Sequence, residues 1–303
     1  MNRRDFMRTA GLFSAGMVLS KPAKLFSGQM PREGWRTFDV TTRVEVLKVS
    51  SETRIWLPAA MIRDTPFQRT LSNKFQAEGG MAEMTENKAD ALGTISAKYP
   101  AGSKPVLTLT SRVMLRDYVV DLSGSKRSVK ADRAKLSHFL QPTRLVPTDG
   151  IVKETALKAT GGATTDVEKA RAIYEWVVDN TFRDPKVRGC GRGDIRFMLE
   201  SGDMGGKCAD LNALYVGMAR AVGLPARHVY GQRITTSQLG YKSLGISPDK
   251  ATKGQHCRVE VYLDDHGWVP VDPADVRKVV LEEPPGNLPL TNERVREARK
   301  RLF

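Results

Sequence analysis

The hydrophobic period of the chain changes near residue 150, and this change constrains the fold more than any other feature of the sequence. Before it, apolar and polar residues alternate, which is typical of half-buried strands. After it, apolar residues recur at helical spacing. The change predicts an α+β chain, with an antiparallel β-sandwich-like domain at residues 37–135 followed by a mixed domain at residues 151–280. The clearest alternating segments are residues 38–46, 54–58, 93–99 and 106–115.

Two helices and three strands are predicted in the second domain. The first helix begins at a capping box, TDVE at residues 165–168, in which the threonine and glutamate side chains satisfy backbone N–H groups reciprocally. The second helix follows a glycine-containing turn at residues 203–207 and ends near Gly223. A hairpin loop, DDHG, joins the last two strands. The expected strands are residues 227–233, 256–263 and 268–272.

The first 27 residues are typical of an export signal. One residue separates the pair Arg3 and Arg4 from Phe6, and a short, mildly apolar run follows at residues 10–19. This pattern predicts a bacterial protein that passes the twin-arginine export machinery and works in the periplasm or otherwise outside the cytoplasm. A disordered basic tail is the alternative. A membrane span is not expected, because spanning a bilayer takes roughly 20 apolar residues.

The formal net charge of +14 favours contact with nucleic acid, lipid headgroups or acidic cell-wall polymers. The net charge alone does not distinguish among these partners. Part of the charge lies in the leader and in a basic C-terminal tail predicted at residues 281–303. We therefore treat the charge first as a property of the surface, and we expect no nucleic-acid partner.

Cys208 lies where an acyl-transfer nucleophile needs to be, at the start of the second predicted helix. The partial positive charge of a helix N-terminus favours a thiolate, and a neighbouring histidine can lower the cysteine pKa further, from about 8.5 by several units. The thiolate is the nucleophilic form. Taken alone, the position of Cys208 does not outweigh the alternative of a buried, unreactive cysteine, which is what most lone cysteines are.

The predicted strand that begins at His256 supplies a candidate base for Cys208. Alternation places His256 on the face opposite the apolar Cys257 and Val259, so its imidazole is free to meet a helix end. The hairpin then returns through Asp272, whose carboxylate could orient the imidazole. Asp272 before Pro273 is also a common turn residue. The sequence predicts a Cys208, His256 and Asp272 triad.

Three cysteines cannot all pair within one chain. Cys190 lies in a glycine-containing basic loop that we expect to be flexible, and it could pair with Cys257 or stay free. Pairing with Cys208 would inactivate the enzyme, which is a redox-regulation hypothesis. The histidines lack metal-ligand spacings, so we expect neither a metal nor another cofactor.

Four segments together resemble the bacterial transglutaminase-like, papain-related superfamily. They are GKCAD at residues 206–210, RAVGLPAR at 220–227, HCRVEVYL at 256–263 and GWVPVDP at 267–273. The resemblance covers roughly residues 165–275 and implies a papain-like, transglutaminase-core catalytic domain. It also implies that Cys208 is the nucleophile, His256 the general base and acid, and Asp272 the orienting carboxylate. A weaker resemblance to the β-rich region of some members lies at residues 56–58 and 64–68.

Two features depart from that pattern. Arg258 occupies a position that is often aromatic in the family, and a polar insertion at residues 235–253 precedes His256. We expect the insertion to form a lid or one wall of the cleft. For the oxyanion we expect the Cys208 backbone N–H as the first donor. Tyr174 and Trp176 are candidates for a second donor, although a packing role fits them better.

The resemblance implies acyl transfer at an amide bond. We expect hydrolysis of a peptide, protein or peptidoglycan-type amide. An amine-accepting transglutaminase is one alternative. A non-catalytic scaffold that binds peptide or wall polymer is another, since a fold alone does not establish activity.

Overall fold

The structure is a computed structural model that describes residues 34–49, 51–123 and 132–303. The predicted export signal at residues 1–27 lies outside this part of the chain. Among the helices in the described ranges, none combines the length and apolar character that crossing a bilayer requires.

The N-terminal part contains six strands in two antiparallel sheets of three strands each, with strand orders β1-β6-β3 and β2-β5-β4. Strands β1 and β6 pair over their full length, from Arg36 opposite Leu115 to Glu45 opposite Val106. The six strands are β1 (Arg36–Glu45), β2 (Thr53–Pro58), β3 (Gln68–Glu78), β4 (Met81–Asn87), β5 (Leu92–Tyr99) and β6 (Val106–Leu115).

Both sheets contribute to one apolar core, so they pack as the layers of a sandwich. Ile95 and Tyr99 from β5 meet Leu107 and Leu109 from β6, and all four are buried. The Tyr99 hydroxyl donates a hydrogen bond of 2.7 Å to the Val106 carbonyl, which satisfies this buried polar group. The predicted antiparallel, sandwich-like region is confirmed. Strands β3 and β4 were not predicted.

The C-terminal part is a mixed α/β unit with an antiparallel sheet in the order β11-β10-β9 and a short parallel pair, β7-β8. Its helices are α1 (Arg133–Ser137), α2 (Gly150–Ala159), α3 (Asp166–Asn180), α4 (Ile195–Ser201), α5 (Cys208–Ala221), α6 (Pro273–Glu282) and α7 (Glu293–Arg301), with 3₁₀ helices at His138–Leu140 and Pro248–Lys253. Its strands are β7 (Phe182–Arg183), β8 (Gly205–Gly206), β9 (Ala226–Gln232), β10 (Gln255–Leu263) and β11 (Gly267–Val271).

Helix α5 is the centre of this unit. Every residue from Cys208 to Ala219 is buried, as expected of a helix that is covered on all sides. It packs against helices α2, α3 and α6 and against strand β10. Helix α3 begins as predicted, because Glu168 accepts from the Thr165 backbone N–H at 3.0 Å while Thr165 accepts from that of Glu168 at 3.2 Å.

The C-terminal segment also belongs to this core. Residues 281–303, which we predicted as a basic tail, contribute Leu288, Val295 and Ala298 to the buried cluster. The Asp272 backbone N–H donates to the Leu302 carbonyl at 2.8 Å, which ties the last helix to the end of strand β11. The basic side chains of α7 therefore cover one face of a packed helix.

Truncating a leucine inside α5 tests the central position of this helix. Leu214 has no exposed surface, so Leu214→Ala is expected to lower the free energy of unfolding by about 3 kcal/mol, as buried leucine truncations do. Leu157→Ala on α2 makes the same chemical change at a side chain that is 54% exposed, and it should cost well under about 1 kcal/mol. Equal losses in urea unfolding would contradict the placement of α5.

Candidate active site

The start of α5 is held in a tight backbone arrangement. Gly206 precedes the helix, and a Cβ there would lie 2.6 Å from the Cβ of Asp210 and 2.9 Å from a methyl group of Leu211. Only glycine fits this approach without displacing the helix. Cys208 is consequently fixed as the first helical residue, where the backbone N–H groups of the first turn point away from the helix without intrahelical partners.

Asp210 ties the loop beside the helix to the helix start. Its carboxylate accepts from the backbone N–H groups of Lys207 at 2.9 Å, Arg192 at 2.7 Å and Gly193 at 2.7 Å. The Ala209 N–H donates to the Cys190 carbonyl at 2.8 Å. The loop around Cys190, which we predicted to be flexible, is therefore anchored to Ala209 and Asp210 in the first turn of α5.

Strand β10 presents His256 to the start of α5. Cys257 is fully buried in the core, whereas the neighbouring His256 is half-buried on the opposite face, as the alternation predicted. Val259 of β10 lies opposite Val271 of β11, so the next residue, Asp272, emerges near His256. The imidazole Nε2 lies 2.6 Å from Asp272 Oδ2. The structure thus brings the predicted histidine and aspartate together.

A second carboxylate and a guanidinium extend this pair. Asp275 Oδ1 lies 3.6 Å from His256 Nε2. Arg233 donates to both carboxylate oxygens of Asp275, at 2.6 and 2.7 Å. The Asp275 backbone N–H donates to Asp272 Oδ1 at 3.1 Å. Sequence reasoning missed Asp275 and Arg233, although the D-x-x-D spacing at the start of α6 was a readable capping signal.

Asn212, also missed, links the helix to both strands. Its amide donates to the Cys257 carbonyl at 2.7 Å and to Asp272 Oδ1 at 3.3 Å, and its oxygen accepts from the Ala274 N–H at 3.4 Å. Asn212 has no exposed surface. It follows Cys208 by four positions, so both lie on one helix face. A polar residue at that spacing inside an apolar helix was the signal that could have found it.

The charges of the site favour a thiolate beside an imidazolium. A hydrogen bond from the Cys257 thiol, together with the hydrogen bond and positive charge of His256, lowers the pKa of Cys208 to about 3 against the opposing effect of burial. Burial alone would lower the pKa of His256, but the Asp275 and Asp272 carboxylates outweigh it and raise that pKa to about 10. At neutral pH both groups are charged.

The pKa values of the two carboxyl groups beside His256 are shifted in opposite directions. Burial and the neighbouring charge of Asp275 raise the pKa of Asp272. Burial also opposes ionisation of Asp275, but the positive charges of His256 and Arg233 outweigh it and lower the pKa of Asp275. Because Nε2 faces the carboxylates, Nδ1 is the ring nitrogen that remains for Cys208.

The other two cysteines are close to the thiolate but carry their protons. All three cysteines are free. Burial and the Cys208 charge raise the pKa of Cys190 to about 11. The hydrogen bond to Cys208 and burial raise the pKa of Cys257 strongly. The suggested Cys190–Cys257 pair is not formed, and pairing of Cys190 with Cys208 stays a prediction.

One group of side chains has the composition of a metal site. Ligand atoms of His256, Asp272 and Asp275 lie within 4.8 Å of one another. The same atoms form the hydrogen bonds described above, and the Arg233 guanidinium already lies against Asp275. A cation bound there would compete with both positive side chains, so this arrangement fits an orienting network better than a metal centre.

Of the oxyanion donors considered, only the start of α5 borders the cleft. The Cys208 backbone N–H points out of the first helical turn. The Tyr174 hydroxyl instead donates to the Arg299 carbonyl at 2.9 Å, and Trp176 packs against the core. Neither aromatic residue lines the cleft that contains Cys208 and His256. Both serve packing.

This cleft has a volume of about 210 Å³ and is open to solvent beside Cys208 and His256. The insertion at residues 235–253 supplies one wall through Gly245, Ile246 and residues 252–253. Glu283 holds that insertion by accepting from the Ser243 N–H at 3.0 Å. The wall is therefore attached to the C-terminal core.

The same region matches a known family. The profile of the transglutaminase-like superfamily fits residues 153–273, which include Cys208, His256 and Asp272. This chain carries a transglutaminase-like domain.

One solved structure shares the fold over most of this chain. A candidate cysteine protease from Cytophaga hutchinsonii matches with a TM-score of 0.58 at 18% identity, over 79% of this chain and 78% of that chain. At this identity the likeness concerns the fold alone. The periplasmic domain of TgpA from Pseudomonas aeruginosa matches with a TM-score of 0.45 at 16% identity, over 90% of this chain and 77% of that chain.

A sequence relative extends the match beyond the transglutaminase-like domain. An uncharacterized protein of Haemophilus influenzae is 33% identical over 246 residues, which are 77% of this chain and 66% of that protein. The match thus spans just under two thirds of the relative's length.

The charge state of Cys208 can be read from its alkylation rate with iodoacetamide during brief exposure to each pH. The thiolate is lost as the pH falls through the folded pKa, so the rate should stay high from about pH 9 down to about pH 4 and fall below that. His256→Ala should move this fall to higher pH, because the imidazolium no longer favours the thiolate. A wild-type rate that rises only above about pH 8 would contradict the assignment.

Proposed function

We propose that this protein is a thiol enzyme that transfers an acyl group from an amide through Cys208, with water as the preferred acceptor. The observation that carries the proposal is the hydrogen bond of 2.6 Å between His256 Nε2 and Asp272 Oδ2, because His256 lines the cleft that also contains Cys208. This hydrogen bond leaves His256 Nδ1 available for the Cys208 sulfur. This arrangement provides a nucleophile, a base and an orienting group.

In the proposed first step, the Cys208 thiolate attacks the carbonyl carbon of a bound amide. The oxyanion that forms is stabilised by the Cys208 backbone N–H at the start of α5. The His256 imidazolium then donates its proton to the leaving amine, the carbon–nitrogen bond breaks, and a thioester remains on Cys208. His256 is neutral at this stage, although Asp272 and Asp275 favour its protonation.

In the second step, neutral His256 removes a proton from water, and the resulting hydroxide attacks the thioester carbonyl. Release of the acid restores the thiolate and the imidazolium. We favour water over an amine because the cleft is open to solvent beside Cys208. An amine acceptor would follow the same second step and form a new amide.

The substrate and location proposed for this enzyme rest on its leader and its charge. The twin-arginine pattern at residues 1–27 and the net charge of +14 are compatible with work outside the cytoplasm on peptide, protein or cell-wall amides. We propose residues 151–280 as the catalytic domain, to whose core the packed residues 281–303 also contribute, and residues 37–135 as the accompanying β-rich domain. A scaffold without activity would not require a charged Cys208–His256 pair.

A screen of peptide amides and peptidoglycan fragments tests the proposed reaction. For any amide that is turned over, we expect an acyl adduct on Cys208 in the mass spectrum of rapidly quenched enzyme, and release of the acid rather than incorporation of an added primary amine. Cys208→Ala should lower kcat by about a thousandfold or more, as loss of a nucleophile does in other triads.

Cys190→Ala is the matched control, because it removes a thiol from the same cleft without removing the nucleophile. It should retain turnover and the acyl adduct. Turnover that survives in Cys208→Ala, or an adduct on Cys190, would refute the assignment. Incorporation of the amine in place of acid release would instead support the transglutaminase alternative.

A further inference from the structure

The cleft beside Cys208 is unusually rich in positive charge. Five of its lining residues are lysine or arginine, and none of its lining residues is aspartate or glutamate. Because clefts focus the field of the charges that line them, this composition favours anions over cations at the nucleophile. The five basic residues are Arg183, Lys207, Arg233, Lys253 and Lys278.

Three of these five charges are compensated by carboxylates that lie outside the cleft. Arg233 forms an ion pair with the buried Asp275 in which it contacts both carboxylate oxygens. Arg183 forms an ion pair with Glu282, and Lys278 lies 3.7 Å from the other oxygen of the same carboxylate. These pairs hold the two arginines in place and reduce their attraction for a ligand.

Lys207 and Lys253 are different. In the described part of the chain, neither forms a salt bridge. Lys207 is half-buried and immediately precedes Cys208, whereas Lys253 is exposed at the end of the 3₁₀ helix in the insertion. The two residues therefore line the same cleft from two different walls. A bound anion would supply the counter-charge that these lysines lack.

We propose that Lys207 and Lys253 form a subsite for a carboxylate of the substrate, one or two residues from the amide that is cleaved. This inference rests on the proposed function, since it takes the cleft as the place where the acyl donor binds. A sphere of 210 Å³ is about 7 Å across, which is the span of about two extended residues. The substrate class is accordingly an acidic peptide or an acidic wall peptide.

Gln255 and Thr252 strengthen the subsite, because both line the cleft next to Lys253 and offer hydrogen-bond donors of the kind that carboxylates accept. The insertion at residues 235–253 thereby acquires a specific role. It adds Lys253 to the lining of the cleft that contains Cys208, and the hydrogen bonds between Ser243 and Glu283 attach the insertion to the C-terminal core.

The test uses two probes of equal size that differ by one charge, N-chloroacetyl-glutamate amide and N-chloroacetyl-glutamine amide. Each can alkylate Cys208 and places its side-chain carboxylate or amide in the proposed subsite. We expect wild-type Cys208 to react about three- to tenfold faster with the glutamate probe at low ionic strength. The preference should shrink as salt is added, because mobile ions screen exposed charges.

Lys253→Gln should lower the rate with the glutamate probe and thereby remove most of this preference. Lys207→Gln should also reduce the ratio of the two rates. Lys250→Gln is the matched control, since Lys250 lies in the same 3₁₀ helix but does not line the cleft. It should keep the wild-type preference.

The outcomes separate the two proposals. Fast labelling of Cys208 with no difference between the probes, or an equal loss of preference in Lys250→Gln, overturns the carboxylate subsite and leaves the nucleophile intact. Labelling of Cys208 that is no faster than that of Cys190 and Cys257 with both probes overturns the proposed function itself. A preference that Lys253→Gln removes and Lys250→Gln retains supports the subsite.

Discussion

The buried charge of His256 is the constraint on which the proposed active site depends. An imidazolium removed from water is costly unless opposite charges surround it. Here Cys208 and the carboxylates of Asp272 and Asp275 supply those charges, and Arg233 in turn balances Asp275. These groups come from the start of α5, strand β10, the N-terminal end of α6 and the end of strand β9. The elements must therefore meet at one point for the charges to be compensated.

Local pattern was sufficient to predict part of this arrangement. Alternation along β10 separated His256 from the core side of the strand, and the hairpin spacing brought Asp272 near it. Asn212 and Arg233 could not be assigned in the same way, because their partners are distant in sequence and depend on how the helix packs on the sheet. Strand β3 was not predicted from the sequence, because few of its residues are large and apolar. In α7 only Val295 and Ala298 are buried among many charges, which hid its packing role.

The structure also gives a physical role to the departures from the family pattern. Arg258, at a position that is often aromatic, places its guanidinium 4.6 Å from the ring centre of Phe67 in the β-rich region. The strand that carries His256 is thereby in contact with the N-terminal sandwich. The insertion before His256 forms a wall of the cleft instead of an independent loop. Both departures are thus packed against other parts of the protein.

Nitrogen-15 NMR of the His256 imidazole at neutral pH is the most direct measurement of the proposed charge arrangement. The account predicts that both ring nitrogens carry protons in the wild-type protein and that this state persists to about pH 10. Asp272→Asn should make the ring lose its proton at lower pH, because one of the two supporting carboxylates is gone. A neutral imidazole with a single protonated nitrogen in the wild-type protein at pH values near 7 would contradict the account.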